Sequence, residues 1–463
     1  KQLRSEKKSR KFWFIAILCL IIVLPAGWYL WSRLEKEKPT LNMNLLSPHL
    51  GQSQVFSLVV SDAKSGLRRL WVGLLKNGQE AVLHDEKFPS AGFFKGGKVH
   101  ETSVKIQLAP EVLGFSDGDA ILRTVISDYS WRGWWKGNIT YTEKNVKIDT
   151  RPPEIEVLSR AHNISQGGAG LVIFRASETC SKSGVQVGDH FYPGHAGFFK
   201  DSNVYLAFIA LGYQQGTDTA ISLKVTDLAG NEATGGLNYH LRKKSFRQDR
   251  LNIRDSFLKQ KMPYFSSQIP QDSTLSLVDK FLKVNRDLRE ANYQTIADVC
   301  HDTDAKIHWQ DDFLRLPKSA TRAKFADHRV YIYKGREIDR QVHMGVDLAS
   351  VARSPIPAAN TGIVIFAEFL GIYGKTVILD HGFGLFSMYA HLSNIGVKVG
   401  DQLSKGDILG RTGLTGLAGG DHLHFSVLIH DTFVNPVEWW DMKWIQHNVL
   451  SKIEQAGSEI KRE

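Results

Sequence analysis

His343-Met344-Gly345-Val346-Asp347, Tyr389-Ala390-His391 and His422-Leu423-His424 all fall in a stretch, from about Phe325 onward, that is rich in β-branched residues and glycine. Around them, Thr361 to Ala367, Lys375 to Asp380 and Gly384 to His391 read as strands joined by tight turns. Residues two apart on a strand face the same side, so His422 and His424 are expected to project together, one to bind a metal and the other to reach the reaction centre. His343 and Asp347 share parity as well, and Gly345 between them predicts a bulge that brings imidazole and carboxylate together. Three nitrogen and oxygen ligands leave the fourth tetrahedral position open for water, which is the arrangement of a catalytic zinc site. Calcium or magnesium would require more oxygens.

These segments, with Asn435-Pro436 just beyond, resemble the LytM and lysostaphin type of zinc peptidases, which cut peptide bonds in peptidoglycan. The resemblance spans 325–442. It takes in Gly362 after Ala359-Asn360, the Tyr373-Gly374 turn, Asp380-His381-Gly382, Val399-Gly400-Asp401 and Lys405-Gly406-Asp407. It implies a zinc ion in the catalytic domain held by His343, Asp347 and His424, with His391 and His422 as catalytic residues flanking the water and Tyr373, Tyr389 and Arg329 as substrate-binding residues. In such a site zinc lowers the pKa of water toward about 7 and polarises the scissile carbonyl. The two free histidines would accept the proton, stabilise the oxyanion and protonate the leaving amine, with the assignment between them left open. Two departures stand out. Asp421 occupies a position commonly held by proline, adding negative charge near the cleft, and Phe325-Ala326-Asp327-His328-Arg329 replaces the usual FGxR entry. Neither removes a ligand.

Other readings of the same residues exist. Each histidine or aspartate taken singly reads as a satisfied polar group, but their joint occurrence in family order does not. The Gly-Asp and Lys-Gly-Asp spacing near 399–407 also occurs in lipoyl-carrier-like domains. Those domains need a hairpin-tip lysine, where this chain offers Tyr389-Ala390-His391. A binding-class alternative is a non-cleaving or autoinhibited regulator that binds wall or activates another wall hydrolase. Retention of all five site residues favours the enzyme.

Upstream, residues 243–324 are charged and read as a helical connector. Ser273 to Ala297 carries apolar residues at spacings of three and four, with Leu277, Val278, Phe281, Leu282, Val284 and Leu288 as its buried face. Before that, short apolar stretches alternate with turn residues and predict two β-sandwich modules, 43–150 and 153–242, parted at Asp149-Thr150-Arg151-Pro152-Pro153, where two prolines cannot continue a ladder. Leu70 to Leu75, Asn77-Gly78 and Ala81 to Leu83 predict a hairpin. A faint repeat pairs Ser65-Gly66-Leu67 with Ser183-Gly184-Val185, and Asp128 with Asp227. With Val225 to Asn231 and the proline junction, it resembles bacterial immunoglobulin-like modules. Trp131, Trp134 and Trp135 are expected in the sandwich core rather than in an exposed binding patch, and His190 and His195 on the surface. No disulfide framework is legible, and a bridge between Cys180 and Cys300 is not favoured.

Phe12 to Trp31 runs without a charge for the length of one bilayer crossing, behind a basic tail at 1–11 that includes Arg4, Lys7, Lys8, Arg10 and Lys11. A retained transmembrane helix over 12–31 is favoured over a cleaved signal peptide, because Ala26-Gly27 beside Pro25 and bulky aromatics makes a poor cleavage site. The positive-inside rule then gives a single-pass protein of the bacterial inner membrane with its catalytic domain on the periplasmic side. The formal charge of +10 is partly this local cluster, and no nucleic-acid partner is expected. Expected partners are peptidoglycan, the membrane, and a protein bound through the sandwiches or the connector. The 463 residues thus predict a mainly β protein with a helical tail at 443–463.

Overall fold

The computed structural model describes residues 2–45, 47–92, 94–269 and 275–461. It is mainly β and divides into two compact units, one of residues 1–152 with 228–231, the other of 153–227 with 232–463. Ser273 and Thr274, the first residues of the expected connector helix, lie outside the described residues, as does Lys1 of the basic tail.

The first unit opens with the helix Gln2–Arg33, in which Lys11–Trp31 is long and apolar enough to cross a membrane. Most of its apolar side chains between Phe12 and Trp31 are exposed. A three-stranded sheet (Thr40–Asn44, Gln54–Ser61, Glu101–Leu108) and a five-stranded sheet (His49–Leu50, Ile139–Ile148, Gly118–Asp128, Leu67–Lys76, Gln79–Lys87) share one core built on Phe56, Leu58, Leu70, Val72, Leu122 and Ile126. In the hairpin, Lys76 pairs with Gln79 across Asn77-Gly78, whose φ angles of 51° and 80° give the two-residue turn its twist. The tryptophan expectation fails here. Trp134 is 92% exposed and Trp135 50%, because the segment after Asp128 is a surface turn with left-handed backbone at Gly133 to Trp135. Trp131 packs edge-on against Tyr29 instead of entering the core.

In the second unit, three strands (Ile155–Val157, Ala169–Ala176, Val204–Ala210) and four strands (His190–Pro193, Cys180–Val187, Ile221–Asp227, Glu232–Gly236) form two facing sheets. Val204–Ala210, VYLAFIA, has no polar alternation and is buried on both faces. One face fills the space between the two sheets, while Phe208 reaches Trp309 and Trp439 at ring distances of 6.4 and 6.0 Å, making one core with the C-terminal sheet. His195 belongs to this junction and not to the surface: its ring stacks on Phe383 at 5.0 Å and on His430 at 5.7 Å. Cys180 and Cys300 are free thiols.

The connector is less helical than expected. Gln248–Ile253 is a strand, paired in parallel along its whole length with His328–Tyr333. Helices follow over Asp255–Lys261 and Leu277–Lys283. The latter is capped by a reciprocal Ser276 and Asp279 box and runs through a π-helical turn at Val284–Leu288 into Arg289–Val299. Phe281 and Val284 are buried, and Leu277, Val278, Leu282 and Leu288 pack against the same core. Ala320–Ala323 then adds an edge strand to the C-terminal sheet.

That sheet runs in the order Ala320–Ala323, Val346–Ala349, Leu423–Ile429, Leu385–Leu392, Gly374–Asp380, Gly362–Leu370, Gln402–Leu403, with Thr432–Val434 pairing beside Leu423–Ile429. Its central strands are buried on both faces. The tail is helical over Met442–Ile445 and Ser451–Ile460 and folds back on the upstream sheet, where Lys452 Nζ donates to Leu171 O at 2.9 Å.

Candidate active site

Three side chains converge where Val346–Ala349 and Leu423–Ile429 pair, with Asp347 directly opposite His424. His343 Nε2 lies 2.9 Å from Asp347 Oδ1 and 2.9 Å from His424 Nδ1, and His424 Nδ1 is 3.0 Å from the same carboxylate oxygen. All three are buried. The expected bulge at Gly345 is instead a break between two strands. Arg336–Val342 ends in another sheet, and His343-Met344-Gly345 crosses over before Val346 begins the next strand. The crossing brings His343 back over Asp347.

The hydrogen bonds on the far side of each ring fix its tautomer. A carbonyl only accepts, so His343 Nδ1 carries a proton for Lys324 O at 2.9 Å, leaving a lone pair on Nε2. Ser426 Oγ donates to Met344 O at 2.7 Å and must therefore accept from His424 Nε2 at 3.0 Å, which leaves the lone pair on Nδ1. Two nitrogen lone pairs and a carboxylate oxygen thus face one another at about 3 Å, an arrangement that repels itself unless a cation sits among them. This donor set fits a metal ion, and tetrahedral zinc in particular. Arg329 Nη2 holds the other oxygen, Asp347 Oδ2, at 2.8 Å.

His391 and His422 flank the cluster with ring centroids 4.8 Å apart. His391 Nδ1 donates to Thr415 O at 2.9 Å and His422 Nδ1 to Gly420 O at 2.8 Å, so both aim Nε2 into the cleft. His422 Nε2 is 3.5 Å from Asp347 Oδ1. Burial, reinforced by His422 and His424, drives the His391 pKa well below its ordinary value, and burial takes His424 down to about 4. For His422 the pull of Asp347 outweighs burial and the pKa rises.

Of the expected substrate-binding residues, Tyr373 lines the cleft, with its ring 5.5 Å from that of His424. Arg329 also lines it, although its guanidinium is engaged with Asp347. Tyr389 does not reach the cleft and is corrected: it is 1% exposed, and its hydroxyl accepts from Ala359 N at 2.7 Å inside the core. Tyr389 and His391 diverge because a β-bulge sets Ala390 and His391 opposite Thr376 alone, with His391 at φ 64°. Asp421 turns to the Arg353 amide at 3.2 Å.

Several residues that line or support the cleft went unread in the sequence. Ser426 was findable, since it follows His424 by two on the same strand face. Lys324 and Thr415 act through backbone carbonyls, which no side-chain motif reveals. The connector supplies one wall of the roughly 370 Å³ cleft through Arg254, Ser256, Phe257, Phe281 and Arg289. It also sets the opposite loop, because buried Lys261 Nζ donates to Leu414 O at 2.7 Å and Gly416 O at 3.1 Å on either side of Thr415.

Residues 341–436 match the family model described as Peptidase family M23, and the chain carries an M23 peptidase domain at its C-terminus. Similar curated proteins include a metalloprotease of Buchnera aphidicola subsp. Baizongia pistaciae, 29% identical over 204 residues, 43% of this chain and 50% of that one. A DD-carboxypeptidase/endopeptidase, Mpg, of Neisseria meningitidis serogroup B is 35% identical over 97 residues, 21% of this chain and 22% of its own length. The peptidoglycan DD-endopeptidase ShyA of Vibrio cholerae is 32% identical over 96 residues, 21% and 22% of the two chains. This chain therefore spans half or less of the length of these relatives.

Proposed function

We propose that the chain is a zinc-dependent endopeptidase that hydrolyses peptide bonds in peptidoglycan stem peptides or crosslinks. It would be held by its N-terminal helix in the bacterial inner membrane with the catalytic domain on the periplasmic side. The observation that carries the reading is the three-atom cluster of His343 Nε2, Asp347 Oδ1 and His424 Nδ1, flanked by two histidines whose Nε2 atoms face the same cleft. The similarity to DD-endopeptidases that act on peptidoglycan supports the substrate class. The first sandwich fits the role of a spacer, while the second shares its core with the C-terminal sheet and belongs to the same unit.

Zinc, when bound by those three residues, supplies Lewis acidity toward the scissile carbonyl and lowers the pKa of water toward about 7. The chain's own residues do the rest. His391 and His422, each locked through Nδ1 on a backbone carbonyl, present Nε2 at fixed positions to take a proton from water and return it to the leaving amine. Arg329 keeps Asp347 from rotating, and Tyr373 closes the cleft beside His424.

The test is zinc content and release of new amino termini from purified peptidoglycan, measured on the whole 463-residue chain in detergent and on its His343→Ala variant. Zinc with cleavage, both lost in the variant, is the expected result. Cleavage by a zinc-free protein overturns the reading. One observation favours a second reading, an autoinhibited enzyme: the connector residues Arg254, Ser256 and Phe257 wall the cleft. Zinc without cleavage, and cleavage appearing in Phe257→Ala, would support it.

A further inference from the structure

Far in sequence from the histidine cluster, the first unit buries three carboxylates together. Glu35 follows the N-terminal helix, Asp62 follows the strand Gln54–Ser61, and Asp128 ends the strand Gly118–Asp128. One oxygen of each lies within 4.8 Å of the others, and the residues are 6%, 4% and 0% exposed. Among the described residues no lysine, arginine or histidine nitrogen pairs with any of the three carboxylates. Lys64, the nearby cation, is exposed and turned to Glu37 at 2.6 Å.

The surrounding hydrogen bonds hold two of the carboxylates firmly in place, while the third has only Ser65 beside it and no hydrogen bond of ordinary geometry. Asp62 Oδ1 accepts from Gly66 N at 2.8 Å. Asp128 Oδ1 accepts from Asn138 N at 2.7 Å and Ser130 N at 3.0 Å, while Asn138 Nδ2 donates to Asp128 Oδ2 at 2.9 Å. Both Glu35 carboxylate oxygens are buried without a hydrogen-bond partner, and the neighbouring Ser65 hydroxyl donates to Asp62 Oδ1 at 3.3 Å. Burying an ionised carboxylate unpaired is strongly unfavourable, and three together compound the cost. The backbone around Glu35 is nonetheless pinned: Asn138 Nδ2 donates to Glu37 O at 2.8 Å, and Trp131 N donates to Arg33 O at 2.9 Å.

We propose that Glu35, Asp62 and Asp128 form a binding site for a hard divalent cation of the calcium class. The donors are all oxygens, which selects against zinc and copper, and carboxylates from three separate chain segments suit the irregular coordination calcium accepts. The ion ties the exit of the N-terminal helix to one strand end from each sheet of the sandwich. This site is independent of the histidine cluster and of the proposed peptidase activity.

The experiment is equilibrium dialysis of the whole 463-residue chain in detergent against radioactive calcium, with zinc kept at a fixed low level, alongside thermal unfolding. Wild type is expected to bind one calcium beyond any associated with the C-terminal domain and to gain melting temperature with calcium. Glu35→Gln and Asp62→Asn should each weaken binding at least about ten-fold, as loss of one charged ligand does in oxygen-only sites, with zinc content unchanged. If a variant fails to fold, calcium-dependent slowing of amide exchange at Gly66, Ser130 and Asn138 in wild type carries the test. No binding up to about 10 mM calcium, above the weakest range of extracellular calcium modules, overturns the proposal. Binding that both variants leave intact overturns it too.

Discussion

A β-carbon on Gly345 would lie 2.6 Å from His424 Nε2, and equally 2.6 Å from Ser426 Oγ, the group that holds that nitrogen. The glycine in the His343 to Asp347 segment is there because the partner strand's His424 packs directly upon it. Gly345→Ala should displace the His424 ring and cut zinc affinity about 10–100-fold, the range seen when the support of a metal-bound histidine is lost. Competition with a zinc chelator measures it. Unchanged affinity would mean that the strand pair yields without moving His424.

Replacing His391 separates chemistry from metal binding. His391→Ala should retain zinc and lose about 10²–10⁴-fold in hydrolysis rate, the usual magnitude for a positioned acid or base. Metal analysis beside a single-turnover assay decides it. A variant cleaving at the wild-type rate would remove His391 from the mechanism.

Arg329 offers a finer probe. Its 2.8 Å contact with Asp347 Oδ2 predicts that Arg329→Gln binds zinc more weakly, by about ten-fold or more, with the overall fold intact. A change confined to KM, with zinc affinity preserved, would instead assign the guanidinium to substrate.

Glu438 links stability to pH. Burial raises its carboxyl pKa from 4.5 to about 7, against the lowering effect of the Ala169 amide, which donates to Glu438 Oε2 at 2.9 Å. A folded-state pKa above the unfolded one means the contribution is fully present below about pH 4.5 and is lost as pH rises through about 7. Glu438→Gln keeps an acceptor and removes the charge. It should be more stable than wild type at pH 8, by about 1–3 kcal/mol, with the gap closing below pH 5. Urea unfolding at the two pH values measures this, and a constant difference would show that Glu438 does not titrate in that window.

The grouping of residues was legible because the proposed metal site would constrain residue type and spacing tightly: the structure brings His343, Asp347 and His424 into one cluster, with His391 and His422 at its flank. The reading went astray where distant partners decide the outcome. Gln248–Ile253 lies in a charged stretch and becomes a strand only because His328–Tyr333 offers it an edge. Tyr389 left the cleft because a bulge breaks strand alternation between it and His391. His195 looked superficial because nothing nearby in sequence reveals Phe383 and His430, which stack on it. The Glu35, Asp62 and Asp128 cluster is spread over more than ninety residues and has no local spacing to find.

The strand Val204–Ala210, buried on both faces, has an experimental consequence for anyone cutting the chain. Phe208, Trp309 and Trp439 interlock across what looks in the sequence like a domain boundary, so a fragment beginning near Phe325 would expose a broad aromatic face to water. Such a fragment would tend to aggregate, and a loss of activity in it would say nothing about the histidines. A fragment begun near Pro153 keeps the aromatic junction whole, because Phe208, Trp309 and Trp439 then fall in one compact unit.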